Sequence, residues 1–284
     1  MLNTEVDLIS VHEDILSVFR AAADITSDLI PIEDCPNREL APVLHISQVM
    51  LARTQEQAQA AIELFISGHW AAFEALSRIS LEYSIRFSSL MKDDPRLTLG
   101  EYLGNHFLEM EKRQRLMRTA LVEASDEHAL LELDRAGQHL RFRQKLVNGY
   151  ADFCGFSLTQ GRKDATTLER FSALGKTRLY RGLYSVLSSQ VHADAESLID
   201  YIVIHCVQRT DEERDIAAQE VHHWMAHFLI NLIGANIEAC ESFASRFMLS
   251  DISRQLQEIR SRFVEIENNY SSQFQKFKTN VVNP

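Results

Sequence analysis

The distribution of proline constrains the fold of this chain more than any other sequence feature. Five prolines occur in 284 residues, and none lies between Arg96 and Asn283. Proline lacks a backbone N–H and clashes with the preceding turn, so it ends or kinks a helix. A long stretch without proline therefore permits long, uninterrupted helices. Ten glycines are too few for a turn-rich β protein, and the sequence predicts an all-α fold.

Apolar residues recur at helical spacing through most of the chain, and the connections between the helical segments are short, which is typical of a multi-helix bundle. We expect one helical domain over 1–284. Its parts are an N-terminal helix and loop (1–42), a bundle core (43–248) and a long C-terminal amphipathic helix (249–284). The predicted helices cover about 5–30, 43–67, 69–92, 98–124, 125–153, 176–191, 194–208, 211–248 and 251 onward, with a loop at 155–175 that contains a short helical turn.

The last helix carries an apolar stripe. From Ile252 to Phe277, apolar residues follow one another in steps of three and four, which is close to a heptad repeat. Such a stripe packs on the chain's own bundle or on a second copy. We expect a homodimer formed through this helix.

Composition excludes several classes of protein. The net charge of −11 argues against general binding to nucleic acid or to an anionic membrane. The N-terminus has no Lys or Arg before Arg20, unlike a secretory signal. No uncharged apolar run reaches the ~18 residues of a membrane span. The four cysteines are widely spaced, which disfavours a disulfide framework or a zinc ribbon. We expect a cytoplasmic protein with no membrane association and no cofactor.

The standard enzyme motifs do not occur in the sequence. It has no GxxxxGK[ST], GxGxxG, HExxH or GxSxG pattern, so P-loop, Rossmann, zincin and common α/β-hydrolase enzymes are disfavoured. Charge is uneven, however. The segment from Lys112 to Arg181 holds 14 basic and 8 acidic residues, whereas the rest of the chain holds 15 and 32. This basic segment binds an anion or RNA, or it pairs with acidic helices.

The third predicted helix carries a ladder of alternating charges at i, i+4 spacing. Leu81 and Ile85 flank this ladder, which indicates partial burial, and buried charges need partners. Arg78 and Glu82 are therefore expected to organise a polar cluster. The alternative is a solvent-exposed salt-bridge ladder. The ladder consists of Glu74, Arg78, Glu82 and Arg86.

A second group of polar side chains lies on the helix predicted at 176–191 and just beyond it. A phenol, a hydroxyl and an imidazole at i+4 spacing line one edge, where they could bind phosphate or move a proton. His192 could act as acid or base. Alternatively, the tyrosines are amphipathic core residues and His192 lies at a helix junction. The edge consists of Tyr180, Tyr184, Ser188 and His192, with Lys176 and Arg181 nearby.

These two helices together resemble a known family. Arg78-x-x-x-Glu82-Tyr83, followed about a hundred residues later by the tyrosine-to-histidine edge, is similar to a bacterial family of helical proteins of unknown function. That family resembles the HEPN group, the nucleotide-binding helical bundles of higher eukaryotes and prokaryotes. The resemblance implies a four-helix core with added helices, frequent dimerisation and ribonuclease activity in toxin–antitoxin or phage-defence systems.

The nuclease signature of the HEPN group does not transfer to these helices. That signature is an arginine, four to six residues, then a histidine. Here only Arg38 and His45 have this spacing, and Pro42 lies between them in a predicted loop. A site in this chain would be a different one. Its candidate catalytic residues are His192, Arg78, Glu82, Tyr184 and Ser188, and its candidate binding residues are Tyr180, Arg181 and Lys176.

A metal site is the third candidate. Glu220, His223 and His227 share one helical face, with His222 beside them, and two histidines with a carboxylate suit zinc or iron. A ferritin-like site needs a second Glu-x-x-His helix, which the sequence lacks. We therefore expect no metal. The leading hypothesis is an HEPN-like bundle that cleaves or binds RNA. The alternative is a non-catalytic sensor or interaction protein that binds a small anion or a protein partner.

Overall fold

The computed structural model describes residues 5–159, 165–185, 187 and 210–282. Within these ranges all regular secondary structure is helical and no β-strand occurs, which confirms the predicted all-α fold. No helix in the same ranges has the length and apolarity needed to cross a bilayer. The helix predicted at 194–208 lies outside the described residues.

The helices follow the predicted segments closely. Two short 3₁₀ turns, Ile32–Asp34 and Ala41–Val43, occupy the proline-rich loop, and α7 continues directly into a π-helical turn, Tyr180–Tyr184. The α-helices are α1 (Glu5–Ser27), α2 (Leu44–Ile66), α3 (Trp70–Lys92), α4 (Pro95–Glu123), α5 (Glu127–Phe153), α6 (Thr167–Ala173), α7 (Thr177–Leu179), α8 (Asp211–Arg246) and α9 (Ser250–Val282).

The start of α4 differs from the prediction by three residues. The sequence predicts a start near Thr98, but the helix begins at Pro95. The Asp94 carboxylate accepts a hydrogen bond from the backbone N–H of Arg96 at 3.0 Å and caps the helix. Proline suits the first helical position because its missing N–H would have no helical partner there. The Asp-Pro pair therefore starts α4 immediately after α3 ends.

The long helix α8 is the centre of the bundle. It contacts α1, α2, α3 and α9, and α3 also packs on α2. Phe73, Phe87 and Phe243 are fully buried in the core. One face of α3 is lined by small side chains, which let the neighbouring helices approach closely. These are the buried serines Ser77, Ser80, Ser84 and Ser88.

Much of the apolar stripe of α9 is buried inside the chain. Leu256, Ile259, Phe263 and Tyr270 are buried, and α9 packs on α1 and α8. These side chains do not face a second copy, because helices of the same chain already cover them. A homodimer formed through the C-terminal helix stays a prediction, and its contact would involve residues of that helix other than these four.

A small polar cluster joins α1, α2 and α8 within the core. The Gln55 amide donates to the Thr26 hydroxyl at 2.6 Å and lies 3.5 Å from the Cys240 sulfur. Burial raises the pKa of the Cys240 thiol to about 11, so the thiol stays protonated. Cys35, Cys154 and Cys240 are free thiols, in line with the absence of a disulfide pattern in the sequence.

The hairpin formed by α4 and α5 is tied to the segment that follows it. The backbone N–H of Thr159 donates to the Gly100 carbonyl at 3.3 Å, and the backbone at Ser157 and Thr159 lies directly on Gly100 and Gly104. A Cβ at Gly104 would overlap the Thr159 carbonyl oxygen. Glycine at these two positions therefore lets the segment cross α4 on its way to α6.

Replacing Gly104 with alanine should destabilise the protein by about 1–3 kcal/mol, because the crossing segment must move. Gly182→Ala is the matched control, since an added Cβ there meets no atom within 4 Å. The control should be neutral or stabilising by up to ~1 kcal/mol, because alanine is the better helix former. Urea denaturation measures both. Equal midpoints for the two variants would contradict the close approach at Gly104.

Candidate functional site

The fold brings together three of the residues predicted for the site. Helix α3 supplies Arg78 and Glu82, and the π-helical turn supplies Tyr184. The Arg78 guanidinium nitrogens lie 3.4 and 3.3 Å from the Tyr184 hydroxyl oxygen, and its Nε lies 3.5 Å from Glu82 Oε1. The Tyr184 hydroxyl donates to the Glu82 carboxylate. We call this group the Arg78–Glu82–Tyr184 cluster.

Aromatic packing fixes the position of Tyr184. Its side chain is 6% exposed, and its ring stacks on Tyr180 with centroids 5.1 Å apart and planes 20° apart. Phe171 of α6 contacts both rings at 5.5 Å. The buried Leu183 anchors the turn in the core. Single π-helical turns inside helices often occur at functional sites because they redirect side chains.

Contacts within the cluster shift the pKa values of Tyr184 and Arg78. Burial raises the pKa of the Tyr184 phenol, the hydrogen bond to Glu82 raises it further, and Arg78 partly opposes both. Tyr184 is therefore a neutral hydrogen-bond donor at physiological pH. Burial lowers the pKa of Arg78, but the contacts with Tyr184 and Glu82 outweigh that effect, and the net shift is upward. Arg78 thus stays charged.

A cleft of about 270 Å³ opens beside Glu82, between α2, α3, α4 and α6. Its polar wall contains three arginines and one carboxylate, so it is positively charged in a chain whose net charge is −11. The Arg86 guanidinium carbon lies 5.3 Å from the centre of the Tyr102 ring, and Arg170 is only 8% exposed. The charged and aromatic side chains of this wall are Arg53, Glu82, Tyr83, Arg86, Phe87, Tyr102 and Arg170.

A second cavity extends this cleft. It measures about 240 Å³ and shares Arg86, Tyr102 and Arg170 with the first. Because Asp93 and Glu101 line it as well, its charge is balanced. The shared residues Arg86 and Arg170 therefore form the basic centre of the combined groove. The charges balance at the end with Arg53 and Glu82, and the end with Asp93 and Glu101 is acidic.

This arrangement suits a ligand that has both charge and a flat ring. Guanidinium groups bind phosphate oxygens through paired, charge-assisted hydrogen bonds. Tyrosine rings stack on nucleic-acid bases. Glu82 forms part of the cleft wall and also accepts the Tyr184 hydrogen bond. A ligand in the cleft would therefore contact a carboxylate that Tyr184, which does not line the cleft, holds in position.

The other predicted site residues have separate surroundings. Lys176 Nζ lies 2.5 Å from Glu238 Oε2, and Arg260 pairs with the other oxygen of that carboxylate at 2.9 Å. Arg181 is exposed on the π-helical turn. Ser188 and His192 lie outside the described residues, so their relation to the cluster stays a prediction.

The two other candidate sites in the sequence are the Arg38–His45 pair and the histidines of α8, and contacts within the fold surround both. Arg38 and His45 are both exposed, and Arg38 donates to the Glu33 carbonyl oxygen at 2.6 Å. Burial lowers the pKa of His223, with His222 adding to the effect, and a His223 ring nitrogen lies 3.3 Å from the Tyr270 hydroxyl. The Glu220 side chain is outside the described part. Among the residues that the structure describes, no group of three His, Cys, Asp or Glu side chains is arranged to hold a metal.

Sequence reasoning did not single out Arg53, Tyr102 or Arg170. They belong to α2, α4 and α6, and no spacing rule links positions so far apart along the chain. Arg170 lies within the basic segment, which was the only available signal for it. Arg86 was part of the predicted charge ladder, but its place in a cleft wall follows only from the packing of the helices around it.

Comparison with known proteins identifies a family without assigning an activity. No curated protein and no solved structure matches the chain. The model of a family of unknown function, DUF5677, matches residues 44–214. This range covers more than half of the chain, from α2 to the first residues of α8, and it includes Arg78, Glu82 and Tyr184. The chain therefore belongs to this helical family of unknown function.

Proposed function

We propose that this protein is an HEPN-like helical bundle that binds RNA in the cleft beside Glu82 and cleaves it there. The observation that carries the proposal is the double role of Glu82, which belongs both to the Arg78–Glu82–Tyr184 cluster and to the arginine-lined cleft. The sequence resemblance to HEPN ribonucleases agrees with it and suggests a role in phage defence or in a toxin system.

The shape and lining of the cleft favour single-stranded RNA over a duplex. A volume of about 270 Å³ matches one nucleotide more closely than a helix of base pairs. Tyr83 and Tyr102 offer rings for base stacking, and Arg53 and Arg86 offer charge for phosphates. The acidic remainder of the chain weakens general affinity for nucleic acid, so binding concentrates at this cleft.

Glu82 has the role of general base in the proposed reaction. It accepts the proton of a ribose 2′-hydroxyl as the 2′-oxygen bonds to the adjacent phosphorus and the bond from phosphorus to the 5′-oxygen breaks. Arg86 stabilises the negative charge that develops on the phosphate oxygens. Arg78 and Tyr184 hold the carboxylate in position. His192 gives a proton to the departing 5′-oxygen in this scheme.

A second function rests on the same cleft. Its volume and its arginines also suit a mononucleotide or another small anion, which a non-catalytic sensor would bind without chemistry. Binding and cleavage are therefore measured separately.

Fluorescence anisotropy with a labelled single-stranded RNA tests the binding step, and gel analysis of the same RNA tests cleavage. Arg53→Gln should weaken binding by about tenfold or more, because a hydrogen bond to a charged partner contributes ~1.5–3 kcal/mol. Arg113→Gln on α4 is the matched control, since both arginines are well exposed, at 68% and 70%. Equal losses in the two variants would contradict binding at the cleft. Binding without cleavage would favour the sensor.

A further inference from the structure

Helix α5 carries a row of large apolar side chains that its own chain leaves exposed. Leu131, Phe142, Leu146 and Phe153 are 51%, 58%, 58% and 78% exposed. At about 100° of rotation per residue, these four positions lie within an arc of roughly 60° on the helix surface. They share one face of the helix, which we call the α5 stripe, and the polar residues Arg135 and Gln138 lie on this face between Leu131 and Phe142.

The α5 stripe points away from the bundle's side of the helix. Leu133, Leu140 and Ala151 are buried on the opposite face, where α5 packs in the hairpin with α4. An amphipathic helix needs only one apolar face to hold it in place. The second apolar face of α5 is therefore surplus to the fold of this chain, and contiguous exposed patches of this kind are typical of interaction sites.

Three of the four positions of the stripe are symmetric about Phe142, and the fourth, Leu146, has Gln138 as its mirror position. Leu131 lies eleven residues before Phe142 and Phe153 lies eleven residues after it, which is ~16 Å along the helix in each direction. We propose that a second copy of this chain docks on the α5 stripe, with the two α5 helices antiparallel and a two-fold axis at Phe142. This pairing places Leu131 against the partner's Phe153 and Phe142 against its own counterpart.

The polar positions within the stripe fit the same pairing. Arg135 also faces this side, and the antiparallel register places it opposite the partner's Gly149. A Cβ at Gly149 would meet no atom within 4 Å, so the surface is flat and open where a long side chain must lie. Helix α5 has four acidic and four basic residues, so it is neutral although the chain carries −11. Charge repulsion therefore does not oppose contact at this surface.

The area of the stripe indicates a dimer that dissociates. Its exposed side chains offer roughly 500 Å² of apolar surface per chain, against about 800 Å² per partner in a standard stable interface. We expect a dimer that is populated at micromolar concentrations and that falls apart on dilution.

Sedimentation velocity of the full chain over about 1–100 μM tests the proposal. The wild type should shift from monomer to dimer within this range. Phe142→Asp should weaken dimerisation at least about thirtyfold, because it places a charge at the centre of the contact. Leu116→Asp on α4 is the matched control, since Leu116 is 63% exposed and lies off the stripe. A monomeric wild type, or an equal loss in both variants, would overturn the proposal. Circular dichroism confirms that each variant is folded.

Disulfide trapping tests the antiparallel register independently. Phe142→Cys should cross-link to itself, because the two-fold axis brings the two copies of that position together. Leu131→Cys and Phe153→Cys should each fail to cross-link alone but should form a disulfide-linked dimer when mixed. The wild-type chain under the same oxidant gives the background from native cysteines. Self-cross-linking of Leu131→Cys would overturn the register, since it requires either parallel helices or a two-fold axis at Leu131.

Discussion

Replacing Glu82 with glutamine should slow RNA cleavage by at least about a hundredfold, because the cleft loses its proposed general base. Glutamine has the same shape, and its side-chain oxygen can still accept the Tyr184 hydrogen bond, so the cluster should remain assembled. RNA affinity should stay unchanged or rise, since the substitution removes the negative charge from the arginine-lined wall. Single-turnover cleavage of a labelled oligonucleotide and anisotropy of the same RNA measure the two effects separately.

Glu74→Gln is the matched control for this experiment. Glu74 lies on the same helix and in the same charge ladder, two turns before Glu82, but it does not line the cleft. Cleavage by the control should match that of the wild type. If Glu82→Gln cleaves as fast as the wild type, or if the control loses as much activity, Glu82 is not the base.

Replacing Ile62 with alanine should lower the free energy of unfolding by about 2–5 kcal/mol, because it leaves a cavity in the core between α2 and its neighbours. The same change at Ile66 should cost at most ~0.5 kcal/mol. The two isoleucines lie one turn apart on α2, yet Ile62 is 2% exposed and Ile66 is 59% exposed. Urea denaturation followed by circular dichroism compares them. Equal losses would mean that α2 does not bury the face that carries Ile62.

Helix positions could be predicted because the signals for them are local. The Asp-Pro pair at 94–95 marks a helix boundary because proline clashes with a preceding helical turn. The structure differs from the prediction only in that Pro95 is the first residue of α4. The apolar periodicity of α8 predicts a helix ending near Met248, and the helix ends at Arg246. Such rules depend on neighbours within four residues, which the sequence shows directly.

The sequence does not show which elements cover the predicted apolar helix faces. The apolar face of α9 follows a near-heptad spacing and the second apolar face of α5 is more widely spaced, yet neither pattern shows that the first is buried against α1 and α8 while the second is exposed. Periodicity shows that a face is apolar and does not show what covers it. The spacing therefore predicts a dimer through α9 without showing that an exposed apolar face lies on α5.

The candidate site could be predicted in part. The i, i+4 spacing of Arg78 and Glu82 implies their pairing, since both lie on one helix face. Their contact with Tyr184, about a hundred residues away, followed only from the family resemblance. The cleft residues Arg53 and Arg170 were missed, because a cavity wall arises from the packing of several helices and leaves no pattern in any one of them.

Locating the bound RNA on the protein tests the central claim most directly. A single-stranded RNA carrying photoreactive 4-thiouridine would be cross-linked to the wild-type protein, and the modified peptides identified by mass spectrometry. We predict cross-links on the peptides of α3 and α4 that contain Tyr83 and Tyr102, which line the cleft. Their loss in Arg53→Gln would confirm that the cleft holds the RNA. Cross-links confined to other surfaces, or the absence of any cross-link, would contradict RNA binding beside Glu82.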